Sequence, residues 1–361
     1  MSKKTVAILG AGAGGTATAY DYAVHGYEVR LFDFPQFSEN INVIQATGMV
    51  YSEGELTGQA KIALATTDLD SAIDGANIIY VVGPAYSTQP FGEALAGKLK
   101  DEQIVVVSPG SCGGALVFRK AAKIDPKVSK IRIAETSTLN YAVRLTEPGK
   151  INVFLKLKAG NLLSVLPGHC TDEVIAELND VYPCFEPAKS VLQTTLQNAN
   201  PIIHPAVSLA NAARIDTKDK DFLFYEEGVS DATGRLIEAM DHERIAIGKK
   251  LGLEILPDPV IGMRQGYMTA DNYGEAYRNA PGFKGILAQP QLDHRYLNED
   301  VGYGLVFMSS LGQQIGIATP TIDSVIKVAS VLMNRDYLGE AARTPEKLGI
   351  GDLSLEQIMN I

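Results

Sequence analysis

The segment GAGAGG at residues 10–15 constrains the fold of this chain more than any other feature. It directly follows the apolar run TVAIL at 5–9 and opens a helical pattern. This order of strand, glycine turn and helix is the GxGxxG arrangement. Gly10 permits the tight turn, Gly12 lets the backbone approach a pyrophosphate, and Gly15 lets the helix pack closely on the strand. We therefore predict a dinucleotide-binding domain at the start of the chain.

The first half of the chain alternates short β-branched runs with helical patterns, which is typical of βαβ units. Because these runs are almost uniformly apolar, both faces of their sheet need cover, and a parallel sheet is expected. The runs 141–145, 150–157 and 161–166 are expected to extend this sheet, and the glycine-containing stretch 48–64 to form a small antiparallel excursion. The runs assigned to the main sheet are 5–9, 27–32, 76–82, 103–107 and 130–134.

The second half of the chain, from about residue 191, has the pattern of helices. The stretch 230–251 repeats apolar residues at helical spacing, and Gly252 provides a stop signal. Thr319 followed by Pro320 is typical of a helix start, with threonine as the cap and proline at the first helical position. We therefore predict long amphipathic helices in this half.

Length and charge bound the class of protein. A chain of 361 residues exceeds the size at which one hydrophobic core keeps growing, so two domains are expected. We predict an α/β fold, with a Rossmann-type doubly wound sheet at 1–188 followed by a mostly α-helical C-terminal domain at 189–361. The net charge of -10 and the pI near 5.1 argue against a nucleic-acid partner, because phosphate backbones are bound by clustered Lys and Arg.

The cysteine spacing and the length of the apolar runs indicate the cellular compartment of the protein. Cys112, Cys170 and Cys184 are widely spaced and form no CxxC pair, so neither a zinc site nor a disulfide framework is indicated. We interpret them as buried thiols in a reducing cytoplasm. No stretch supplies the ~20 consecutive apolar residues that a membrane-spanning helix needs. We therefore expect a cytoplasmic protein whose partners are small molecules, with no membrane or metal involved.

An acidic residue follows the second predicted strand, 18 positions after Gly15. At this place, the carboxylate of Asp33 would accept hydrogen bonds from the adenosine ribose hydroxyls and repel a 2′-phosphate, which favours NAD(H) over NADP(H). The alternative is a solvent-facing aspartate at a strand end. Pro84, in the loop 82–84 after a further strand, is expected to line the nicotinamide side at the carboxyl edge of the sheet.

Among the five histidines, His204 has the most restricted surroundings. Pro201 and Pro205 limit the backbone around it, which would hold the imidazole in a fixed position. It is a candidate acid/base, and the alternative is a core histidine with satisfied hydrogen bonds. Three others are interpreted as structural: His25 at a helix end, His169 in a turn, and His242 among Asp241, Glu243 and Arg244 on the polar face of the predicted 230–251 helix.

The segment HRYLNEDVGYGLV at 294–306 combines an arginine with two carboxylates ahead of a helix expected to begin near Tyr303. One of these carboxylates, on Glu299 or Asp300, could fix the tautomer of His204 and stabilise the imidazolium. Arg295 offers a planar fork for a substrate carboxylate. The alternative is a surface ion pair at the start of a helix.

Four segments of the chain together resemble the octopine/nopaline (opine) dehydrogenase family: ETSTLNYAVR at 135–144, NPIIHPAVSLANA, RYLNEDVGYGLV and TPTIDSVI. Their order and approximate positions match along nearly the whole chain. The resemblance implies that His204 is the catalytic acid/base, Asp300 its partner and Arg295 a binder of substrate carboxylate. Asn140 and Gly302 stand where the family pattern usually has proline, so looser loops are expected at both places.

The resemblance also implies a reaction. An L-amino acid condenses with an α-keto acid such as pyruvate, and NADH reduces the resulting imine to a secondary amine dicarboxylate. The second substrate carboxylate needs another cation, for which Arg144 is a candidate, although it could simply cap a strand. The alternatives are a simple NAD-dependent 2-keto or hydroxy acid dehydrogenase, a glycerol-3-phosphate-type dehydrogenase, and a non-catalytic NAD(H) sensor. The apolar helical half is compatible with a homodimer.

Overall fold

The structure, a computed structural model, describes residues 4–217 and 221–361. It divides into two compact units, Met1–Thr194 (unit 1) and Thr195–Ile361 (unit 2). The helix Val191–Gln197 spans this division, whereas the division proposed from the sequence falls before that helix, between residues 188 and 189.

The main sheet of unit 1 has eight strands in the order β12-β11-β8-β7-β6-β1-β2-β5. Its strands are parallel except where β11 pairs antiparallel with β8. The five apolar runs predicted to form a parallel sheet all lie in it, which confirms that part of the fold. The strands of unit 1 are β1 (Thr5–Leu9), β2 (Glu28–Phe32), β3 (Met49–Gly54), β4 (Gly58–Lys61), β5 (Leu64–Thr66), β6 (Ile78–Val81), β7 (Ile104–Val107), β8 (Arg132–Thr136), β9 (Tyr141–Glu147), β10 (Lys150–Lys156), β11 (Asn161–Leu166) and β12 (Phe185–Pro187).

A second sheet contains β4, β3, β10 and β9 in that order. The antiparallel pairing of β3 with β4 confirms the expected excursion. The expectation that 141–145 and 150–157 extend the main sheet is wrong, and only β11 does so. The reason lies in β10, where Ile151 and Val153 are buried while Asn152 and Phe154 are more exposed. A strand with one buried face suits a sheet that is covered on one side only.

Helices cover both faces of the main sheet and make up most of unit 2. Those of unit 1 are α1 (Ala13–Val24), α2 (Glu39–Thr47), α3 (Leu69–Ile73), α4 (Thr88–Leu95), α5 (Gly114–Ala121), α6 (Thr171–Leu178) and α7 (Val191–Gln197), which continues into unit 2. Those of unit 2 are α8 (Asn200–Ala210), α9 (Ala212–Thr217), α10 (Asp231–Lys250), α11 (Asp258–Gln265), α12 (Glu275–Arg278), α13 (Arg295–Asn298), α14 (Val306–Ile315), α15 (Pro320–Leu332), α16 (Tyr337–Glu340), α17 (Pro345–Leu348) and α18 (Leu355–Met359). No helix within the described ranges has the length and apolar character to cross a membrane.

Helix α10 occupies the predicted stretch, and the side chain of Ser230 caps it by accepting from the backbone N–H of Thr233. The polar face proposed around His242 is wrong in one respect, because Asp241 and Arg244 are completely buried. They form an ion pair with each other, and Arg244 also donates to the backbone carbonyls of Leu196 and Leu256. These partners explain how a guanidinium is accommodated in the interior.

Helix α15 starts at Pro320, as Thr319 and Pro320 predict, but a different residue caps it. The carboxylate of Glu243, on α10, accepts from the backbone N–H groups of Thr321 and Ile322 at 2.8 and 2.9 Å. A negative charge at this place satisfies two unpaired donors and complements the helix dipole.

The helical stretch expected to begin near Tyr303 begins earlier, at Arg295. The ring of His294 caps α13 by accepting from the N–H of Tyr296. A π-helical turn at Asp300–Leu305 then joins α13 to α14. Such turns hold one extra residue per turn and are frequent at functional sites.

Candidate active site

The glycine turn of unit 1 depends on close backbone approach. Gly10 has φ +106°, and a β-carbon at this residue would lie 2.0 Å from the carbonyl oxygen of Val82. A β-carbon on Gly15 would lie 1.7 Å from the carbonyl oxygen of Gly10. On Gly12 it would meet nothing within 4 Å. The turn is therefore closed on the strand side and open at Gly12, where a dinucleotide would place its pyrophosphate.

Asp33 follows β2 and is bonded to the glycine turn. Its Oδ2 accepts from the N–H of Ala11 at 2.7 Å, and its Oδ1 accepts from the N–H of Phe34 at 2.8 Å. Burial raises the pKa of Asp33, whereas these two backbone hydrogen bonds lower it. Each oxygen retains acceptor capacity for a ribose hydroxyl. The acceptor position and the open space at Gly12 fit NAD(H) in unit 1.

Pro84 begins the short turn that follows β6 at the carboxyl edge of the main sheet. The preceding Val82 donates to Leu9 at 2.8 Å, and its carbonyl lies against Gly10. The loop that carries Pro84 is therefore next to the glycine turn. At this edge ligands bind in open α/β sheets.

In unit 2, the structure brings together His204 and Asp300, which are 96 residues apart in the sequence. Nδ1 of His204 lies 2.7 Å from Oδ2 of Asp300. Both residues are buried, with 4% and 5% of their surface exposed. Burial raises the pKa of Asp300 to about 7, while the positive charge of Arg295 lowers it. The raised pKa brings this carboxyl toward the range that suits an acid/base group at neutral pH.

Two helical segments hold this pair. His204 lies inside α8. Pro201 is the second residue of this helix, and Pro205 lies in its interior. Asp300 is the first residue of the π-helical turn. A β-carbon on Gly304 would lie 2.4 Å from Cγ of Pro201, so only glycine allows the turn to pack this closely on α8.

Two tyrosines that sequence reasoning missed contact the imidazole. Nε2 of His204 lies 3.1 Å from the hydroxyl oxygen of Tyr225. The ring of Tyr296 stacks on the imidazole with a centroid distance of 3.9 Å and an interplanar angle of 19°. Tyr296 could have been found as a neighbour of Arg295 in the sequence, but nothing in the local pattern marks Tyr225.

Arg295 lies beside this group on the first turn of α13. Its Nη1 is 3.3 Å from Oε2 of Glu299, and its guanidinium carbon is 5.4 Å from the centroid of the Tyr296 ring. The side chain of Arg295 is 43% exposed, whereas that of Glu299 is 8% exposed. The guanidinium is thus paired with Glu299, while part of the Arg295 side chain is exposed.

Arg144 belongs to the other unit. It is an exposed residue of β9, and its Nη1 donates to the carbonyl oxygen of Val143 at 3.1 Å. Asn140, where a looser loop was expected, is buried and accepts from Nδ2 of Asn161 at 2.7 Å. This loop is therefore bonded into the interior of unit 1. Gly302, the other such position, is a buried residue of the π-helical turn.

Comparison with known proteins assigns both halves of the chain. Residues 187–333 match the family model described as NAD/NADP octopine/nopaline dehydrogenase, alpha-helical domain. Residues 5–111 match that of the NAD-dependent glycerol-3-phosphate dehydrogenase N-terminus. The chain is 33% identical to the opine dehydrogenase of Arthrobacter sp. (strain 1C) over 98% of this chain and 97% of that protein. It is 28% identical to the protein ocs of Agrobacterium tumefaciens (strain Ach5) over 97% and 95% of the two chains.

Solved structures share the fold of the whole chain. Octopine dehydrogenase in complex with NADH and L-arginine has a TM-score of 0.80 at 21% identity, covering 99% of this chain and 98% of that one. Yersinopine dehydrogenase with bound NADP+ has a TM-score of 0.76 at 15% identity, with the same coverage. Together with the 33% identity to the Arthrobacter opine dehydrogenase over nearly its full length, these findings confirm the resemblance seen in the sequence. The chain belongs to the octopine/nopaline (opine) dehydrogenase family of NAD-dependent oxidoreductases, which act on the CH–NH bond of secondary amines.

Proposed function

We propose that this chain condenses an L-amino acid with an α-keto acid of the pyruvate type and reduces the product to an N-(carboxyalkyl) amino acid, with His204 as the acid/base. The observation that carries this proposal is the 2.7 Å contact between Nδ1 of His204 and the buried carboxylate of Asp300. A carboxylate at this place selects the tautomer and stabilises the imidazolium.

The proton that this pair holds has a defined use. When the amine of one substrate adds to the carbonyl of the other, the carbinolamine formed must lose its oxygen as water, and protonation of that oxygen makes it a leaving group. His204 supplies that proton and, in the opposite direction, accepts it. NADH, when bound, supplies the hydride that reduces the imine.

Cations are needed for the substrate carboxylates. Arg295 is held by Glu299 with part of its side chain accessible, which supports its assignment to one carboxylate through a bidentate contact. Arg144 remains the candidate for the second carboxylate. In unit 1, the roles proposed for Gly10, Gly12, Gly15, Asp33 and Pro84 are those of the NAD(H) site.

The substrate classes are inferred from relatives. Octopine dehydrogenase has been solved with L-arginine and with pyruvate, each in the presence of NADH. The test is an NADH-oxidation screen of pyruvate against a panel of L-amino acids, with mass spectrometry of the product. Turnover that requires both substrates supports the proposal, and the preferred amino acid identifies the amine.

A simple keto-acid reductase is the second candidate. A D-mandelate dehydrogenase complex and a ketopantoate reductase share the fold at a TM-score of 0.62. The two candidates differ in their need for an amine. NADH oxidation with pyruvate alone at the full rate would favour this alternative.

The assembly and the compartment also belong to the proposal. We infer a homodimer in the cytoplasm, on the basis of the apolar helical half and the cysteine pattern of the sequence. Light scattering after size-exclusion chromatography of the full chain tests the dimer. A mass equal to that of one chain would contradict it.

A further inference from the structure

Both ring nitrogens of His204 have a partner within unit 2. Nδ1 faces Asp300 at 2.7 Å, and Nε2 faces the hydroxyl of Tyr225 at 3.1 Å. When Nδ1–H donates to the carboxylate, the neutral ring carries a lone pair on Nε2, and the tyrosine hydroxyl donates to it. When the ring is protonated, Nε2–H donates to the hydroxyl oxygen instead. The hydrogen bond between Nε2 and the hydroxyl is therefore retained in both states, with the donor and acceptor exchanged.

Aromatic packing restrains both rings. His204 and Tyr225 are 4% and 5% exposed. The imidazole is stacked on Tyr296 at 3.9 Å, and the Tyr225 ring is stacked on Phe283 at a centroid distance of 4.2 Å and an angle of 15°. Phe224 packs against the edge of Tyr225 at 5.0 Å. Turning either ring away would break these stacks. Passing the proton through the existing contact between His204 and Tyr225 therefore needs less rearrangement than turning the imidazole toward the substrate.

We propose that the hydroxyl of Tyr225 relays the proton between Nε2 of His204 and the substrate oxygen, so that Tyr225 is a catalytic residue in contact with the substrate. The proposal rests on the proposed acid/base role of His204. A hydroxyl suits a relay because it donates one hydrogen bond and accepts others at the same time.

The relay balances in protons and electron pairs. The Nε2–H bond of the imidazolium breaks as an O–H bond forms on Tyr225, and the original O–H bond of Tyr225 breaks as its proton passes to the carbinolamine oxygen. The C–O bond then breaks, its electron pair leaves with the water, and the nitrogen lone pair forms the C=N bond. Tyr225 ends as a neutral hydroxyl, and the opposite direction runs the same steps backwards.

The test compares two variants that each remove one hydroxyl. Tyr225→Phe keeps the ring that stacks on Phe283, and the control Tyr267→Phe alters another tyrosine stacked on that same ring, at 5.0 Å. With pyruvate and the amino acid preferred in the screen, Tyr225→Phe should lower kcat by about 10²-fold or more and leave the KM for NADH unchanged. Tyr267→Phe should keep the kcat of the unmodified chain.

A proton inventory in mixtures of H₂O and D₂O separates a relay from a positioning role. In the unmodified chain, the dependence of kcat on the deuterium fraction should be curved, because two protons move in one step. In Tyr225→Phe it should be linear. A linear dependence in the unmodified chain would overturn the relay, and that result needs no variant to fold.

The remaining outcomes separate this proposal from the proposed function. Full turnover by His204→Gln would remove the acid/base role itself. Loss of turnover by His204→Gln together with full kcat in Tyr225→Phe would overturn only the relay. The relay would also be overturned if Tyr225→Phe lowered the KM for pyruvate at an unchanged kcat. That result would mean that the substrate displaces the hydroxyl instead of receiving a proton from it.

Discussion

The contact between His204 and Asp300 allows a prediction of how the proposed acid/base pair responds to pH. Burial raises the pKa of Asp300 to about 7, and the nearby Arg295 lowers it. Because the two groups are in direct contact, the inflection seen in kinetics belongs to the pair and not to either residue alone. We expect the pair to hold one more proton below this inflection than above it.

The oxidation of an N-(carboxyalkyl) amino acid needs a base, so its kcat should rise with pH through about 7 and level off above. Asp300→Asn removes the carboxylate and should lower the plateau by roughly 10²–10⁴-fold and shift the inflection. Asp293→Asn is the control, since Asp293 is an exposed residue just before the same segment that bonds to Asn298. An unchanged inflection in Asp300→Asn would contradict the role of the pair.

At the same scale, we propose that Asp33 sets the preference for NADH over NADPH. Asp33→Asn keeps an oxygen for one of the two backbone donors, Ala11 or Phe34, but removes the negative charge. The preference for NADH over NADPH, measured as the ratio of kcat/KM values, should fall by about 10–100-fold, as expected for the loss of a hydrogen bond to a charged group. Asp125→Asn, an exposed aspartate in unit 1, should leave the ratio unchanged. A preserved ratio in Asp33→Asn would place ribose recognition elsewhere.

Among the structural elements, the turn between β1 and α1 contains one glycine that we expect to affect folding and another that we expect to affect NADH binding. Gly15→Ala places a methyl group 1.7 Å from a backbone oxygen, so it should lower the thermal unfolding midpoint without ligand. Gly12→Ala meets no atom within 4 Å and has an ordinary backbone conformation, with φ -70°. It should leave the midpoint unchanged and weaken NADH binding measured by fluorescence titration. Equal effects of both changes on the midpoint would contradict this division of roles.

Periodicity predicts an element well when the positions of its apolar residues in the sequence match the positions that are buried in the fold. The strands of the parallel sheet and α10 are of this kind, because every residue of a run such as 78–81 is buried. The assignment of β9 and β10 failed because a run of apolar residues predicts a strand but not its sheet. The pattern from residue 191 onward predicts helices but gives no bounds around His204, where Pro205 lies inside α8.

At the scale of the whole molecule, buried carboxylates make stability depend on pH. In unit 2, burial and the neighbouring Asp241 raise the pKa of Asp258 to about 6, while the hydroxyl of Tyr277 and the charge of Arg244 lower it. Burial also raises the pKa of Asp300 to about 7. These two carboxyls therefore bind more protons in the folded than in the unfolded chain between pH 4 and 7, and their contribution to the free energy of unfolding falls as the pH rises through this range.

Asp258→Asn should flatten this dependence. Each such group contributes a slope of at most ~1.4 kcal/mol per pH unit, and the amide retains an acceptor for Tyr277. Urea unfolding followed by circular dichroism at pH 5 and pH 8 measures the difference. Asp271→Asn, at an exposed residue of unit 2, is the matched control. Identical pH dependence in the two variants would show that Asp258 does not titrate in this range.

Across the molecule, the sequence predicts which residues carry charge or hydrogen-bonding capacity, but not which rings surround them. His204, Asp300 and Arg295 were selected from segments far apart in the chain. Tyr225 lies in a turn before α10 and comes next to the imidazole only through tertiary packing. Arg244 shows the same limit, because its burial depends on carbonyls at Leu196 and Leu256 that no periodicity reveals.

The π-helical turn at Asp300–Leu305 makes the pair sensitive to chain length. Deleting one residue within 301–303 would convert the turn to an ordinary α-helix and rotate everything before it by about 100° around the axis. The carboxylate of Asp300 would then point away from α8 although every reactive group is still present. The contact between His204 and Asp300 therefore depends on the number of residues in the turn as well as on their identity.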